Sequence, residues 1–387
     1  MSESELSLWA RSGAMALTGR ADGPPLASPG RPATTTAQAL EQVATLTERR
    51  TGKRPRLPDI RLLGERAAIS GLSRQGPRSC GGAFRTIPTA DGWMGLTLAR
   101  PTDFELVPAL VEDDSASGWE PVVAWASTRP TREAADRAAL LGLACAAQRP
   151  SIRPGVICAP GGARLLPERP VVLDLTSLWA GPLCAHLLGL SGTHVIKVES
   201  TTRPDGARFG PTEFFDLLHH GHEMVSLDFG DRSGLRELQR LARSADLVLE
   251  ASRPRALSRL GLVAEELVDQ GTSWLSITAA GRASDAVGFG DDVAVGAGLN
   301  VQDSGEVLPC GDALADPLAG VAAAAAAAAA LDGDRAVLLD LSMHDVAAEA
   351  AFGPTEPHQV RLDDAGQWWV ETDQDRFRVC AASRSPR

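Results

Sequence analysis

Six short apolar runs in the second half of the chain constrain its fold more than any other feature. They begin at Val171, and several are rich in β-branched residues. Helical segments or long loops separate them, which is the pattern of repeated βαβ units. The runs are VVLDLT, HVIKVE, VSLDF, LVLE, WLSIT and VLLDL. We therefore predict an α/β fold: a mostly parallel, Rossmann-like sheet covered on both faces, with a smaller α+β domain beside it.

An alanine-rich helix is predicted just before the last run, over Ala322–Ala330, and Asp316-Pro317 introduces it. Asp before Pro suits a helix start, since the carboxylate accepts backbone N–H groups and Pro tolerates the first helical position. One interpretation of Asp316 is therefore a helix cap. The other is a nucleophile toward an acyl group. Asp312 is a weaker candidate, because no Pro marks a helix start beside it.

An internal repeat is indicated by an ungapped alignment of the N-terminal stretch with the segment around Asp316. The matched pairs, each 281 residues apart (311 − 30), are Gly30 with Gly311, Gly52 with Gly333 and Asp59 with Asp340. Thr35 then stands opposite Asp316. Thr and Asp both cap helices, whereas Thr does not replace a nucleophilic carboxylate. We predict that residues 1–70 are a degenerate partial copy of the later segment.

Ordered motifs from about Val171 to Ala351 resemble the catalytic domain of the class III CoA-transferase family. This family includes formyl-CoA and carnitine CoA-transferases and α-methylacyl-CoA racemase. The motifs are LDLTSLWAGPLCAHLL, THVIKVES, RPDGARFG, SLDF, ADLVLEASRPRALSRLGL and ALADPLAG. In the family the acid of the last motif becomes acylated, and that position here is Asp316.

The resemblance implies a CoA-transferase that exchanges CoA between an acyl-CoA and a carboxylic acid through an aspartyl intermediate. It implies CoA as a substrate, no tightly bound cofactor, and a homodimer. Trp179 occupies a position where similar transferases often place Gln, and Trp offers only a donor and an apolar wall. The alternatives are a 2-methylacyl-CoA racemase and a non-catalytic CoA-binding protein. Against the racemase, Asp291 stands where that branch has a catalytic His.

Basic residues after the predicted strands are candidates to bind the phosphates of CoA, because guanidinium forks suit phosphate oxygens. They are Lys197, Arg203, Arg208, Arg253, Arg255 and Arg259. Each is also explained as a solvated surface residue. Gly81 and Gly82 follow Cys80 and match either a plain turn or the family's mobile glycine loop. No G-x-G-x-x-G supports a dinucleotide site.

A metal site is not predicted. His219, His220 and His222 lie close together, but no accompanying carboxylate spacing supports coordination, so a surface turn is preferred. The six cysteines are scattered without a CxxC pair, which indicates reduced thiols and the cytoplasm.

The domain boundaries follow from composition. Residues 1–70 form the partial copy, 71–165 the small α+β domain, 166–352 the CoA-binding catalytic domain, and 353–387 a C-terminal hairpin. Ile157–Pro170 serves as a linker, on its Gly and Pro content. Small-domain material precedes the catalytic domain, which suggests a permuted order. The net charge of −11 argues against nucleic-acid or anionic-membrane binding, and the chain has neither a signal-peptide pattern nor a membrane-spanning run.

Overall fold

Strands and helices alternate along most of the chain. The structure is a computed structural model that describes residues 3–149, 151, 153–165, 167–252 and 254–386, without the side chains of residues 254 and 255. The strands are β1 (Phe84–Pro88), β2 (Trp93–Thr97), β3 (Ala144–Ala146), β4 (Val156–Ala163), β5 (Val171–Asp174), β6 (His194–Ser200), β7 (Glu223–Leu227), β8 (Leu247–Glu250), β9 (Ser273–Thr278), β10 (Asn300–Asp303), β11 (Glu306–Pro309), β12 (Arg335–Ser342), β13 (Gln359–Leu362), β14 (Trp368–Glu371) and β15 (Arg376–Arg378).

The helices connect these strands and cover the large sheet. They are α1 (Glu5–Ser12), α2 (Pro32–Thr51), α3 (Leu62–Ser70), α4 (Pro101–Glu105), α5 (Val107–Val111), α6 (Trp119–Ala126), α7 (Thr131–Leu140), α8 (Ala180–Leu190), α9 (Thr212–His219), α10 (Arg232–Ser244), α11 (Pro254–Arg259), α12 (Ala264–Asp269), α13 (Gly290–Gly296), α14 (Ala315–Ala330) and α15 (Met343–Ala351). Within the described residues, no helix is both long enough and apolar enough to cross a membrane.

The largest sheet of the described chain has seven strands in the order β4-β12-β9-β8-β5-β6-β7. The neighbours from β12 to β7 pair in parallel, and β4 runs antiparallel to β12. All six apolar runs are strands of this sheet, which confirms the predicted fold class. Successive residues of the central strand β8 face opposite layers: Leu249 packs with α8 and α14, and Val248 with α10 and α12.

The predicted linker is wrong, because residues 156–163 form the edge strand β4 of the large sheet. Its glycines serve close packing rather than flexibility. A Cβ at Gly161 would lie 2.2 Å from Val268 Cγ1, and one at Gly162 would lie 2.3 Å from the Asp269 carbonyl oxygen. Only glycine therefore lets the end of α12 approach this strand.

Helix α14 crosses one face of the sheet and is packed by α2 and α8. Small residues permit this arrangement, since a Cβ at Gly320 would lie 2.8 Å from the Ala180 carbonyl oxygen on α8. Residues of α1 to α3, among them Leu8, Val43 and Leu63, lie in the same hydrophobic core as α8 and α14. The N-terminal helices are thus part of the structure that holds the start of α14.

The smaller unit contains the antiparallel sheet β1-β2-β3, with α4 to α7 around a separate core. The sequence predicts a helix over residues 131–147, but α7 ends at Leu140. Gly142 adopts a φ of 75°, which ends the helical run, and β3 then pairs with β2. The predicted C-terminal hairpin extends to a three-stranded sheet, β13-β14-β15.

Candidate active site

Asp316 lies in the first turn of α14 and lines a cavity of about 290 Å³. The cavity walls come from α3, from the small unit and from the large domain, and include Arg66, Gly81, Thr97, Leu178, Trp179, Phe289 and Asp291. Gly290 lets the carboxylate approach α13 closely, because a Cβ at that position would lie 2.5 Å from Asp316 Oδ2. The helix-start carboxylate is therefore held against protein on one side and open to a cavity on the other.

Arg66, on α3, is a residue of this cavity that the sequence analysis did not select. Its Nε donates to Asp312 Oδ2 at 2.9 Å, and its Nη2 donates to Asp312 Oδ1. The guanidinium carbon also lies 5.1 Å from the ring centroid of Trp179. Asp312 has no exposed side-chain surface, so its charge is compensated by this two-pronged ion pair. Asp312 thus holds Arg66 in place and does not line the cavity itself.

Two further carboxyl groups lie beside Asp316. Asp291 Oδ1 accepts a hydrogen bond from the Ala313 amide at 2.9 Å. Asp292 Oδ1 accepts from Phe289 N at 2.9 Å and from Thr97 Oγ1 at 2.8 Å. Burial raises the pKa of Asp291 to about 6 and that of Asp292 to about 7. Several acids with one cation in a poorly hydrated site cannot all ionise at their usual pH.

The pKa of Asp316 is raised to about 7, chiefly by burial; Arg66 lowers it, and the charges of Asp291 and Asp312 add to the rise. At neutral pH a substantial fraction of Asp316 is ionised. The ionised form has little water around it, which favours attack on a bound electrophile. Perturbed acids in a cavity are typical of functional sites, and this supports the second interpretation of Asp316 over a helix cap alone.

The glycine loop and the tryptophan both reach the Asp316 cavity. Gly81 lines the cavity, and a Cβ there would contact nothing within 4 Å. Gly82 has a φ of 79° and closes a turn onto the Ser79 carbonyl oxygen at 2.8 Å. Trp179 packs edge-on against Phe214, with ring centroids 5.4 Å apart. Gly81 and Trp179 are brought together with Asp316, and Gly82 is adjacent.

Arg203, Arg208 and Arg259 do not line the Asp316 cavity, although Ala207, next to Arg208 in the chain, does. Arg208 is paired with Glu199 through its Nε at 2.9 Å and stacks on Phe215 at 4.1 Å. Arg203 is exposed, as is Arg259 at the end of α11. Beside α11 a second cavity of about 240 Å³ is lined by Leu257, Ser258 and Arg282, among others. Arg253 falls outside the described residues, and the side chain of Arg255 is likewise not described.

Lys197 does not fit the prediction that it binds CoA. Its side chain has no exposed surface, its Nζ lies 3.1 Å from Asp205 Oδ2, and it donates to the Thr176 carbonyl oxygen. It points into the protein because it sits at an inward position of β6. The predicted surface turn of histidines is also wrong in part: His220 is exposed, but His219 is buried and His222 half-buried.

Comparison with known proteins identifies the family of the large domain. Residues 170–354 match the family model described as CoA-transferase family III. A succinyl-CoA–D-citramalate CoA-transferase of Chloroflexus aurantiacus is 32% identical over 140 residues, or 32% of this chain and 35% of the relative. A formyl-CoA:oxalate CoA-transferase of Rhodopseudomonas palustris is 32% identical over 103 residues, or 25% and 24% of the two chains. The chain thus matches about a third or less of the length of these curated relatives.

Solved structures give partial superpositions. A hypothetical protein from Mycobacterium tuberculosis is 26% identical with a TM-score of 0.44, and a CaiB/BaiF family protein from Brucella suis is 21% identical with a TM-score of 0.46. Each superposition covers 55% of this chain and 66% of the other. The curated relatives are named as transferases, so a racemase is not favoured. The resemblance predicted from the motifs is thus confirmed as a match of residues 170–354 to the model of CoA-transferase family III.

Proposed function

We propose that the chain moves CoA between an acyl-CoA thioester and a carboxylic acid, with Asp316 as the nucleophile. The observation that carries this proposal is the position of the half-buried Asp316 at a cavity that Arg66 also lines. CoA enters as a substrate, and the chemistry requires no tightly bound cofactor. The names of the relatives support CoA chemistry of this class.

In the first step an Asp316 oxygen attacks the thioester carbonyl carbon, and the C–S bond breaks with its electron pair leaving on sulfur. A mixed anhydride and CoA thiolate result. The thiolate then attacks the Asp316 carbonyl carbon and releases the first carboxylate, which leaves an aspartyl-CoA thioester. The acceptor carboxylate repeats the two steps in reverse, so CoA moves to it and Asp316 is regenerated without net proton uptake.

The chain's own groups support this sequence in three ways. Arg66 lowers the pKa of Asp316, which favours its ionised form, and adds a positive charge near developing anions. Trp179 and Leu178 provide an apolar wall that keeps water from the anhydride. Gly81 lies at the cavity with open space around it, so the backbone can approach a substrate closely.

The arginines that follow the strands of the large sheet are proposed to bind the phosphates of CoA. Arg203 and Arg259 are exposed, while Arg208 would keep its pairing with Glu199 and contribute a screened charge. Exposed guanidinium groups beyond the carboxyl ends of parallel strands suit an anionic ligand in an open α/β sheet. We further propose a homodimer that works in the cytoplasm, where the six free thiols stay reduced.

The direct test is to incubate the protein with a panel of acyl-CoAs, trap with hydroxylamine and analyse the peptides by mass spectrometry. We expect a hydroxamate at Asp316 with at least one donor, and none in Asp316→Asn. Asp334→Asn, an exposed acid beyond the other end of α14, is the matched control and should label as the wild type does. CoA binding without label from any donor would replace the transferase by a non-catalytic CoA-binding protein.

A further inference from the structure

A second buried group of charged and imidazole side chains lies behind the wall of the Asp316 cavity. It is formed by Asp174 at the end of β5, Lys197 on β6, Asp205, and the two histidines His219 and His222. Asp174 and Lys197 are completely buried, and His219 is 6% exposed. We refer to these five residues as the histidine cluster. The proposed CoA transfer uses none of them.

Part of the hydrogen bonding in the histidine cluster is complete. Asp174 Oδ1 accepts from Thr176 N at 2.8 Å and from Thr176 Oγ1 at 2.5 Å. Lys197 Nζ donates to the Thr176 carbonyl oxygen and lies 3.1 Å from Asp205 Oδ2. These contacts fix Asp174 and Lys197 in one orientation and leave Asp174 Oδ2 directed at the histidines.

Among the described residues, six buried side-chain atoms of the histidine cluster have no hydrogen-bond partner. They are Asp174 Oδ2, Asp205 Oδ2 and both ring nitrogens of His219 and His222. Leaving one buried polar atom unsatisfied costs roughly 1–3 kcal/mol, so several together in one place require an explanation. The packing of the two histidine rings does not explain these unpartnered atoms. His219 stacks on Phe215 at 4.3 Å and meets His222 edge-on at 5.6 Å, but these contacts engage ring faces and edges rather than nitrogen lone pairs.

The ligand atoms of Asp174, His219 and His222 all lie within 4.8 Å of one another. Around a tetrahedral Zn²⁺ with bonds of about 2.1 Å, ligand atoms are separated by about 3.4 Å, so small side-chain rotations close the gap. Asp205 Oδ2 lies 3.8 Å from His219 Nε2 but only 3.1 Å from Lys197 Nζ, so it stays with the ammonium and the fourth position on the ion is left open. We propose that Asp174, His219 and His222 bind one divalent cation of the Zn²⁺ type.

Protonation and charge are compatible with this ion. An imidazole is mostly uncharged at neutral pH, so each ring nitrogen without a proton has a lone pair to give to a cation. Two carboxylates and one ammonium leave the histidine cluster with a net charge of −1. Lys197 lies 3.6 Å from Asp174 Oδ2 but closer to Asp205, so it can stay with Asp205 while the cation takes Asp174.

An ion can enter through the turn that joins α9 to β7. His222 is half-buried, and Gly221 and His220 beside it are exposed. Once bound, the ion would stabilise the wall of the Asp316 cavity, because Asp205 of the same cluster holds two segments of that wall. Asp205 Oδ1 accepts from Leu178 N at 2.8 Å and from Ala207 N at 2.9 Å, and both residues line the Asp316 cavity. The histidine cluster therefore has a structural role: it fixes the two loops that close the cavity.

The test uses the full chain, stripped with a chelator and dialysed. We expect one equivalent of Zn²⁺ to bind by calorimetry, Tm to rise with added Zn²⁺, and Co²⁺ to give the visible absorption of a low-symmetry N/O site. His222→Asn should weaken binding at least about tenfold. His220→Asn, an exposed histidine two residues away, is the matched control and should bind as the wild type does.

Each other outcome overturns the proposal. No binding of Zn²⁺ or Co²⁺ would assign the unpartnered nitrogens to buried water. Binding that persists in His222→Asn, or is lost in His220→Asn, would place the ion elsewhere. His222 is half-buried, so its Asn variant is expected to fold, and circular dichroism checks this. Because every readout is binding or stability, failure here leaves the proposed acyl transfer untouched.

Discussion

Two buried groups of charges, on either side of the Leu178–Trp179 wall, differ in access rather than in composition. The Asp316 group contains Arg66, Asp291 and Asp312 and opens to a cavity. In the histidine cluster, Asp174 and Lys197 are completely buried and His219 is 6% exposed. Where a buried acid meets a cavity, its unpaired charge is available to a substrate. Where it does not, the same free donors can only be satisfied by an ion, a proton or water.

The largest expected effect separates the two groups by chemistry. Asp316→Asn keeps the shape of the side chain but removes the nucleophile, so acyl exchange should fall by at least about 10³-fold. Zinc binding at the histidine cluster should not change. Exchange assays and calorimetry on the same preparation measure both. A variant that retains exchange would show that Asp316 is a helix cap, and one that loses zinc would show that the two groups are coupled.

Breaking an ion pair in the Asp316 group should destabilise the fold. Arg66→Met leaves Asp312 buried without its partner, which costs about 3–5 kcal/mol of the free energy of unfolding. Adding Asp312→Asn should recover part of this loss, because the uncompensated charge is gone. Urea titrations measure all three proteins. Arg203→Met, at an exposed position, is the control and should change stability by less than about 0.5 kcal/mol.

The pH dependence of the exchange rate and of stability tests the raised pKa of Asp316. With a pKa of about 7 for Asp316, the exchange rate should rise as pH increases through that value, since the ionised form attacks. The folded pKa lies above the ordinary 3.8, so the native state binds the extra proton between these values. The contribution of Asp316 to stability is therefore present at low pH and lost as pH rises through about 7.

A matched pair of variants sharpens this prediction. Asp291→Asn removes a negative charge that raises the pKa of Asp316, so the midpoint of the rate profile should move to lower pH. Asp292→Asn changes the neighbouring carboxyl, which is not among the main charges acting on Asp316, and should leave the midpoint in place. Equal shifts, or none in either variant, would contradict the arrangement of charges described above.

The smallest expected effect concerns the exposed arginines. Arg259→Ala should raise the KM for acyl-CoA by roughly fivefold with little change in kcat, because one solvent-exposed contact to phosphate contributes about 1 kcal/mol. The effect should shrink as salt is added. Arg240→Ala, on the exposed side of α10 and paired with Glu237, is the control. A fall in kcat instead would assign Arg259 a role near the reacting atoms.

The sequence predicts the elements whose signals are local. Each of the strands β5 to β9 and β12 is marked by a local apolar run, and Asp316 is marked by the Pro that follows it. Arg66 was missed because its partner Asp312 is 246 residues away, and no local pattern marks it. Edge strand β4 was missed because two adjacent glycines, Gly161 and Gly162, are typical of a loop. The close approach of α12 that requires them is not visible in the sequence. Lys197 was predicted to bind CoA at the surface, because no local pattern marks a Lys that is buried between two acid partners.

The predicted repeat has a structural counterpart over part of its length. Gly30 and Gly311 have φ values of 69° and 67°, and helices α2 and α14, which follow them, pack against each other. Thr35 Oγ1 donates to the carbonyl oxygen of Arg31 within its own helix, whereas Asp316 faces the cavity. The correspondence ends after the helices, since Asp340 is in β12 and Asp59 is in a turn. Whether the two segments share an origin stays a prediction.

The alanine run of α14 has a consequence for how freely the sequence can change. Alanine has no rotamers to freeze and no spare atoms with which to fill a gap, so α2 and α8 lie close to its backbone. A larger side chain would force them apart, and a glycine would loosen the helix. The position of the nucleophile thus depends on residues that carry no chemistry, and enlarging any of the buried alanines should displace it, whereas the exposed Ala329 should tolerate a larger side chain.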